Sequence, residues 1–320
     1  MNNTQMRNTQ MHNTQKNNTQ KNKEKKLDTV LTPSECINED SEVCASNDIQ
    51  NILVYFVNKK TNESENSPLK ALEKAEELLD CDGESCVITH PEFKKYASKH
   101  GIREKDIQKE LHLRYKTYGP RNSTELLNNY NIDDTLRIWA RKHINFFPCP
   151  FAMMDFDTNG DLFGKIKFDK MLDGHMNAYL GPSIGDVKRK FNCMGCVVNT
   201  DVSTGPGIHW VAVFVDCRSY PWTIEYFNSV GRPPPKVMVN WMEKNRAHLI
   251  NYLRHQNIDI EVKTISVTNV DHQDSQTECG LYSLFYIRKR LEGANYTYFM
   301  GKQIPDELMI EFRKRIFRKS

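Results

Sequence analysis

No stretch of this chain approaches the ~18 consecutive apolar residues needed to span a bilayer, and its first residues are polar rather than the apolar core of a secretory signal. The expectation is a protein with no membrane partner that stays in the cytosol where it is made. A full set of metal ligands is also missing. The nine cysteines (36, 44, 81, 86, 149, 193, 196, 217 and 279) are an odd number without an export route, so free thiols are expected. Cys193-x-x-Cys196 is half of a zinc set, but no second CxxC or HxxxH follows at finger spacing, and a structural zinc needs four ligands. The pair reads as two unbonded thiols near a turn. Asp155-x-Asp157-x-Asn159-Gly160-Asp161 opens like a calcium loop, yet its twelfth position, where a bidentate carboxylate belongs, is Ile166. Asn159-Gly160 reads instead as a hairpin turn, with Phe163 to Phe168 as the returning strand. No metal and no cofactor are expected.

The first residues lack aromatic and branched aliphatic side chains altogether. MNNTQ, MRNTQ, MHNTQ and KNNTQ repeat in succession, then KNKEKK follows. Such units bury nothing that would offset the entropy of ordering them, so residues 1–27 are expected to be a disordered tail. Residues 1–26 carry six basic side chains against Glu24, a balance of +5, which leaves −2 for the remainder of a chain whose net charge is +3. Nucleic acid is therefore a partner for the basic tail only; the folded part is near neutral.

What the chain does contain is two kinds of pattern. Residues 46–115 carry helical stripes. Ile49, Ile52, Leu53, Phe56 and Val57 follow Ser46 as a candidate cap, and Ser67-Pro68 opens a second helix with Leu69, Leu72, Ala75, Leu78 and Leu79 inward. Pro91 and Gly101 bracket a third helix with Phe93, Tyr96 and Ala97 inward, and Ile107 and Leu111 continue the pattern. No catalytic grouping is visible here, and residues 28–120 are expected to form a helical arm. After Tyr118-Gly119-Pro120 the character changes. A helix around Asp134 to Ile144 leads to strands at 209–215 and 222–227, a helix after Pro233-Pro234-Pro235, and a strand from Ile258 through Val262 towards Val270. A polar loop, 271–278, then ends at Cys279, where an apolar helix with Leu281, Leu284, Phe285 and Leu291 begins. Residues 121–320 are expected to be an α+β core.

A cysteine nucleophile needs a base, a group to orient the base, and donors for the developing oxyanion. Cys279 sits in Gln276-Thr277-Glu278-Cys279-Gly280 at a helix start, where the dipole is expected to lower the thiol pKa below its free value of ~8.5. On its own such a cysteine is as readily a buried structural residue. His209 begins the most apolar strand, after the flexible-looking Ser203-Thr204-Gly205-Pro206-Gly207. An isolated histidine is more often a core residue bonded to backbone. Asn228 ends the following strand and is placed to orient an imidazole on a neighbouring strand, as in Cys-His-Asn sites; Glu225 is its rival.

The order His…Asn…Gln…Cys, with His-Trp at a strand start and a glutamine upstream of Glu-Cys-Gly, resembles the Ulp1/SENP SUMO proteases and the adenoviral protease. The likeness is stronger to the polyprotein proteases of African swine fever virus, a SUMO-protease-like branch. It is carried by Cys86-Val-Ile-Thr-His-Pro91, Met153-Met-Asp-Phe156, His209-Trp-Val-Ala212, Ile224-Glu-Tyr-Phe-Asn-Ser229 and Ser275-Gln-Thr-Glu-Cys-Gly280. It spans roughly residue 30 to the C-terminus. The resemblance implies a papain-like/Ulp1-like core with a central mixed sheet, and a triad of His209, Asn228 and Cys279. SUMO proteases place Asp where this chain has Asn228; the swine fever branch has Asn. The resemblance also implies an oxyanion glutamine at Gln273, with Gln276 as competitor, and a substrate-binding Trp210 that walls a slot admitting only glycine. Trp210 as an ordinary core residue is the plain alternative.

The implied activity is a viral cysteine endopeptidase cutting structural polyproteins at Gly-Gly-X during virion maturation, in the host cytoplasm and the virion. An isopeptidase acting on SUMO or another ubiquitin-like protein is the alternative enzyme. A non-catalytic binding module that kept the fold is the alternative from another class.

Overall fold

Three helices form at the stripes read in the first part of the chain, although Leu78, expected inward, is exposed: α1 (Asn47–Thr61), α2 (Pro68–Leu79) and, after a short α3 (Glu84–Thr89), α4 (Pro91–Lys99). They belong to a computed structural model that describes residues 35–38, 40–121, 124–160 and 163–318. The repeat tail and Asp161 lie outside the described residues. Ser67 caps α2 by accepting from the Lys70 amide at 3.4 Å. Ser46 holds the cap position of α1 without a side-chain capping bond; the buried Glu84 carboxylate instead accepts from the amides of Cys44 and Ala45 just before that helix. α5 (Glu104–Arg114) completes the arm. Ile49, Leu53, Phe56, Leu72, Phe93 and Ile107 share one apolar cluster, with Phe56 and Phe93 edge to face at 5.6 Å.

The free-thiol expectation fails in this arm. Cys36 is bonded to Cys44 and Cys81 to Cys86. Each pair closes a short loop, with Cα atoms 5.0 and 5.5 Å apart, inside the range a disulfide bridges. The sequence argument ran from compartment, and compartment says nothing about which cysteines a turn brings together. The other five cysteines keep their thiols outside any disulfide, as expected.

The second apolar cluster begins at Leu127 and runs to Phe317. Between the clusters lies β1 (Thr117–Tyr118), and the core follows with α6 (Asn129–Lys142), β2 (Phe146–Pro148) and β3 (Ala152–Met153). The turn-rich segment then departs from the hairpin expected for it. Phe156–Asn159 is a short helix, α7, closed by Gly160 with φ near +63°, followed by a 3-10 turn at Phe163–Lys165 and α8 (Phe168–Leu172). Phe163 stacks on Trp241 at 4.2 Å, and that burial outweighs the local turn signal. β4 (Met176–Tyr179) and β5 (Asp186–Arg189) form a separate antiparallel ribbon.

The main sheet contains β6 (Cys193–Asn199), β7 (Trp210–Asp216), β8 (Trp222–Phe227) and, after α9 (Lys236–His255), β9 (Val262–Val267). The strand order is β2-β6-β7-β8-β9, with β3 beside β2 on β6. β6/β7 and β7/β8 are antiparallel; the outer pairings are parallel. Every residue of β6, β7 and β8 is buried, which is why β7 reads as a near-continuous apolar run rather than an alternating one. The Cys193/Cys196 pair is inside β6 and not near a turn. An odd spacing sends the two side chains to opposite faces, so they cannot chelate one ion. Burial pushes the Cys193 thiol up to about 12.

α10 (Cys279–Leu291) packs on β7, and its close approach is allowed at Gly195, where a Cβ would sit 2.9 Å from Ile287. The helix is locked to the sheet by charge. Arg290 bonds Glu225 through Nε (2.8 Å) and Nη2 (2.7 Å) and reaches Asp216 at 3.0 Å, while the Tyr286 hydroxyl donates to Glu225 at 2.7 Å. α11 (Tyr298–Gly301), α12 (Asp306–Ile316) and β10 (Phe317–Arg318) close the chain, and β10 pairs in parallel with β1. Among the described residues no helix is long and apolar enough to cross a membrane.

Glu225→Ala leaves the buried Arg290 without its main partner and is expected to cost about 3–5 kcal/mol. Glu225→Gln, which keeps the shape and some of the bonds, is expected to cost less. Urea unfolding monitored by tryptophan fluorescence checks both; an unchanged midpoint in the alanine variant would contradict the role given to this network.

Candidate active site

β7 and α10 start at the same end of the sheet. Cys279 is the first residue of α10, and backbone N–H groups of Trp210, Gly280 and Cys279 itself face its sulfur. The Trp210 amide belongs to the residue that follows His209, so the fold brings the helix start and the strand start together. The thiol is not depressed as the helix dipole alone suggested. It is pushed up, because burial disfavours the thiolate more than the three amides favour it.

His209 Nε2 lies 2.9 Å from Asn228 Oδ1. An amide oxygen only accepts, so Nε2 carries the proton and Nδ1 is left with its lone pair. Burial lowers the imidazole pKa; the Asn228 bond pulls it upward and the Arg232 charge downward. Asn228 is held on both sides of its amide. Its Nδ2 donates to the Tyr226 hydroxyl at 3.1 Å, and its Oδ1 also accepts from the Val230 amide at 3.2 Å. Glu225, the rival orienter, is engaged with Arg290, Tyr286 and Thr223 on the other side of β8.

The loop before His209 is tied down rather than flexible. Asn199 accepts from the amides of Asp201 and Ile208 at 3.0 Å, Asp201 accepts from Gly207 at 3.0 Å, and the Thr200 amide donates to the His209 carbonyl at 2.8 Å. Asp155, the first residue of the calcium-like motif, accepts from the Ser203 amide (3.0 Å) and hydroxyl (2.9 Å). Its carboxylate is occupied with loop anchoring, which is the physical content of that motif.

The two glutamines differ. Gln273 is buried, with Oε1 accepting from the Ser229 hydroxyl at 2.8 Å and Nε2 donating to the Ser275 carbonyl at 2.9 Å. Gln276 is exposed. Trp210 is buried, and its indole Nε1 donates to the Leu127 carbonyl at 3.0 Å. Ser229, Tyr226 and Leu127 were missed by sequence reasoning. Tyr226 was accessible to it, lying two residues before Asn228 on the same strand and hence on the same face. His272, next to Gln273, is a structural histidine: Nδ1 accepts from Ile304 at 3.1 Å and the other nitrogen lies 3.0 Å from the Phe299 carbonyl.

A buried thiol at a helix start, amides aimed at its sulfur, and an amide-oriented imidazole on the adjoining strand define the site of a cysteine hydrolase. Known proteins agree. A Ulp1 protease family model, described as its C-terminal catalytic domain, matches residues 196–320. A cysteine protease from a Malawi tick isolate of African swine fever virus is 47% identical over 291 residues, covering 90% of this chain and 96% of that protein. Its counterpart from a Kenyan pig isolate, named a SUMO-1 cysteine protease, matches to the same extent. The crystal structure of the African swine fever virus protease superposes with a TM-score of 0.76 at 44% identity, covering 91% of this chain and 98% of the other. The chain belongs to the Ulp1 protease family, with its fold, and is a cysteine peptidase.

The His209 imidazole is expected to titrate below the ordinary histidine value of ~6.5. Asn228→Ala should move its midpoint lower still, since the acceptor that favours the cation is gone. Histidine NMR resonances followed against pH provide the check, with a midpoint at or above the ordinary value as the contrary result.

Proposed function

We propose that the protein is a viral endopeptidase that cleaves structural polyproteins after Gly-Gly during virion maturation, acting in the host cytoplasm and in the particle. The observation that carries the proposal is the bonded His209–Asn228 pair placed beside the Cys279 helix start. Support for the viral assignment comes from the near full-length likeness to proteases of a virus.

In this reading Cys279, His209 and Asn228 are the triad. His209 Nδ1 takes the thiol proton as the sulfur bonds to the scissile carbonyl carbon, and Asn228 steadies the imidazolium that forms. The carbonyl oxygen becomes an oxyanion, held by the Cys279 amide and the Gln273 side chain; the anchoring by Ser229 and Ser275 favours Gln273 over the exposed Gln276. The C–N bond then breaks, and His209 returns the proton to the leaving amine. Water, deprotonated by His209, attacks the thioester, the C–S bond breaks, and the thiol is restored with the acid product. Trp210 walls the slot through which the substrate backbone passes, so that residues without side chains fit it.

Cys279→Ala and His209→Ala are each expected to abolish cleavage of a precursor fragment containing Gly-Gly-X, whereas Cys196→Ala leaves it nearly intact. Gln273→Ala should lose about 100-fold or more in kcat. The measurement is a gel-based cleavage assay with the same fragment beside SUMO and ubiquitin substrates. Near-wild-type turnover by Cys279→Ala rejects the mechanism, and preference for the ubiquitin-like substrates would make the enzyme an isopeptidase instead.

A further inference from the structure

The segment that leads from the arm into the core ends beside the neighbours of the reacting groups. Leu127 touches both sides of the site. Its carbonyl accepts the Trp210 indole proton at 3.0 Å, and its side chain lies where a Cβ on Gly280 would meet it at 3.1 Å. Trp210 follows His209 and Gly280 follows Cys279, so one connector residue bridges the neighbours of the base and of the nucleophile. The connector is itself fixed. Arg313, buried in α12, donates to the carbonyls of Pro120 (3.0 Å) and Glu125 (2.8 Å). Its guanidinium also lies 3.5 Å from Glu278, the residue before the nucleophile. Phe151 meets Trp210 edge to face at 6.2 Å. With the indole tethered through Nε1, Trp210 cannot swing away without breaking a buried hydrogen bond.

We infer that Leu127 is a specificity-determining positioning residue, which by tethering Trp210 and covering Gly280 sets the width of the slot that admits glycine and excludes side chains. The inference rests on the slot proposed above and adds a residue outside the segments that carry the triad. Leu127 does not touch the reacting atoms; it acts through Trp210. Loosening it widens the slot, and the signature is a change in which substrate is accepted rather than a uniform loss of rate.

The test uses the full chain and fluorogenic peptides carrying Gly-Gly, Gly-Ala or Ala-Gly before the scissile bond. Wild type should reject the alanine peptides. Leu127→Ala keeps the backbone carbonyl that tethers Trp210 but uncovers Gly280, and should reduce that discrimination about tenfold or more, the scale on which one methyl group is sorted by a pocket. Leu127→Met, which keeps the side-chain volume over Gly280, should retain it. Trp210→Phe keeps a ring but deletes the donor to the Leu127 carbonyl, so it tests the tether and should also reduce discrimination, while Leu127→Val, a smaller truncation over Gly280, decides the matter if Leu127→Ala does not fold. Discrimination at the wild-type ratio in a folded Leu127→Ala or Trp210→Phe protein overturns the inference while leaving the slot standing. Wild type that cuts alanine peptides as well as Gly-Gly overturns the slot and the inference with it.

Discussion

The docking of α10 on the sheet is the constraint on which the site depends, and it is made at the end far from the chemistry. Arg290 sits eleven residues after Cys279, about 16 Å along the helix, and is pinned to Glu225 on β8 and Asp216 on β7. Asp216 and Trp210 are the two ends of β7, roughly 20 Å apart. Helix and strand run in the same direction over similar lengths. Fixing the Arg290 end in register therefore fixes where Cys279 meets Trp210. Phe227 stacked on Tyr286 at 4.6 Å adds a contact midway. A buried ion network of this kind contributes little net stability compared with apolar packing, but it tolerates only one helix register, and register is what a thiol and an imidazole on separate elements require.

The arm is joined to this core by more than a covalent link. β1 pairs with β10, Arg121 Nε donates to the Lys314 carbonyl at 3.1 Å, and Arg313 holds the connector carbonyls. The last helix of the core thus grips the segment that leaves the arm. Gly119 lies against Phe317, which occupies the space a side chain would need. The consequence is that Pro120, Arg121 and Glu125 are held against the last helix of the core.

Most of the architecture could be read from the chain because the relevant signals were local or periodic. The stripes of the arm helices, the near-continuous apolar run of β7 and the polar loop ending at Cys279 each correspond to an observed element. What was not legible depended on partners far along the chain. Phe163 reads as strand until Trp241 is placed against it. Asp155 opens a segment that reads as a hairpin until Ser203 is brought to its carboxylate. Glu225 stands as a rival to Asn228 until Arg290, 65 residues beyond it, and Tyr286 are found bonded to its carboxylate. The disulfides escaped for a different reason: separations of 8 and 5 residues permit a bond without requiring it.

The choice of asparagine over a carboxylate at position 228 bears on the resting state of the site. Burial raises the Cys279 thiol and lowers the His209 imidazole, so both shifts favour the neutral pair over thiolate and imidazolium. A carboxylate at 228 would add a full negative charge beside the ring, raise the imidazole pKa and hold the imidazolium. It would also bury a charge in a position whose other neighbours, the Tyr226 hydroxyl and the Val230 amide, are neutral dipoles. Asn228 supplies direction without that charge. It holds Nε2 protonated and Nδ1 open, the tautomer that the mechanism proposed above requires of His209. In that proposed mechanism a cation and anion that form together within a buried site stabilise each other as the carbonyl is attacked.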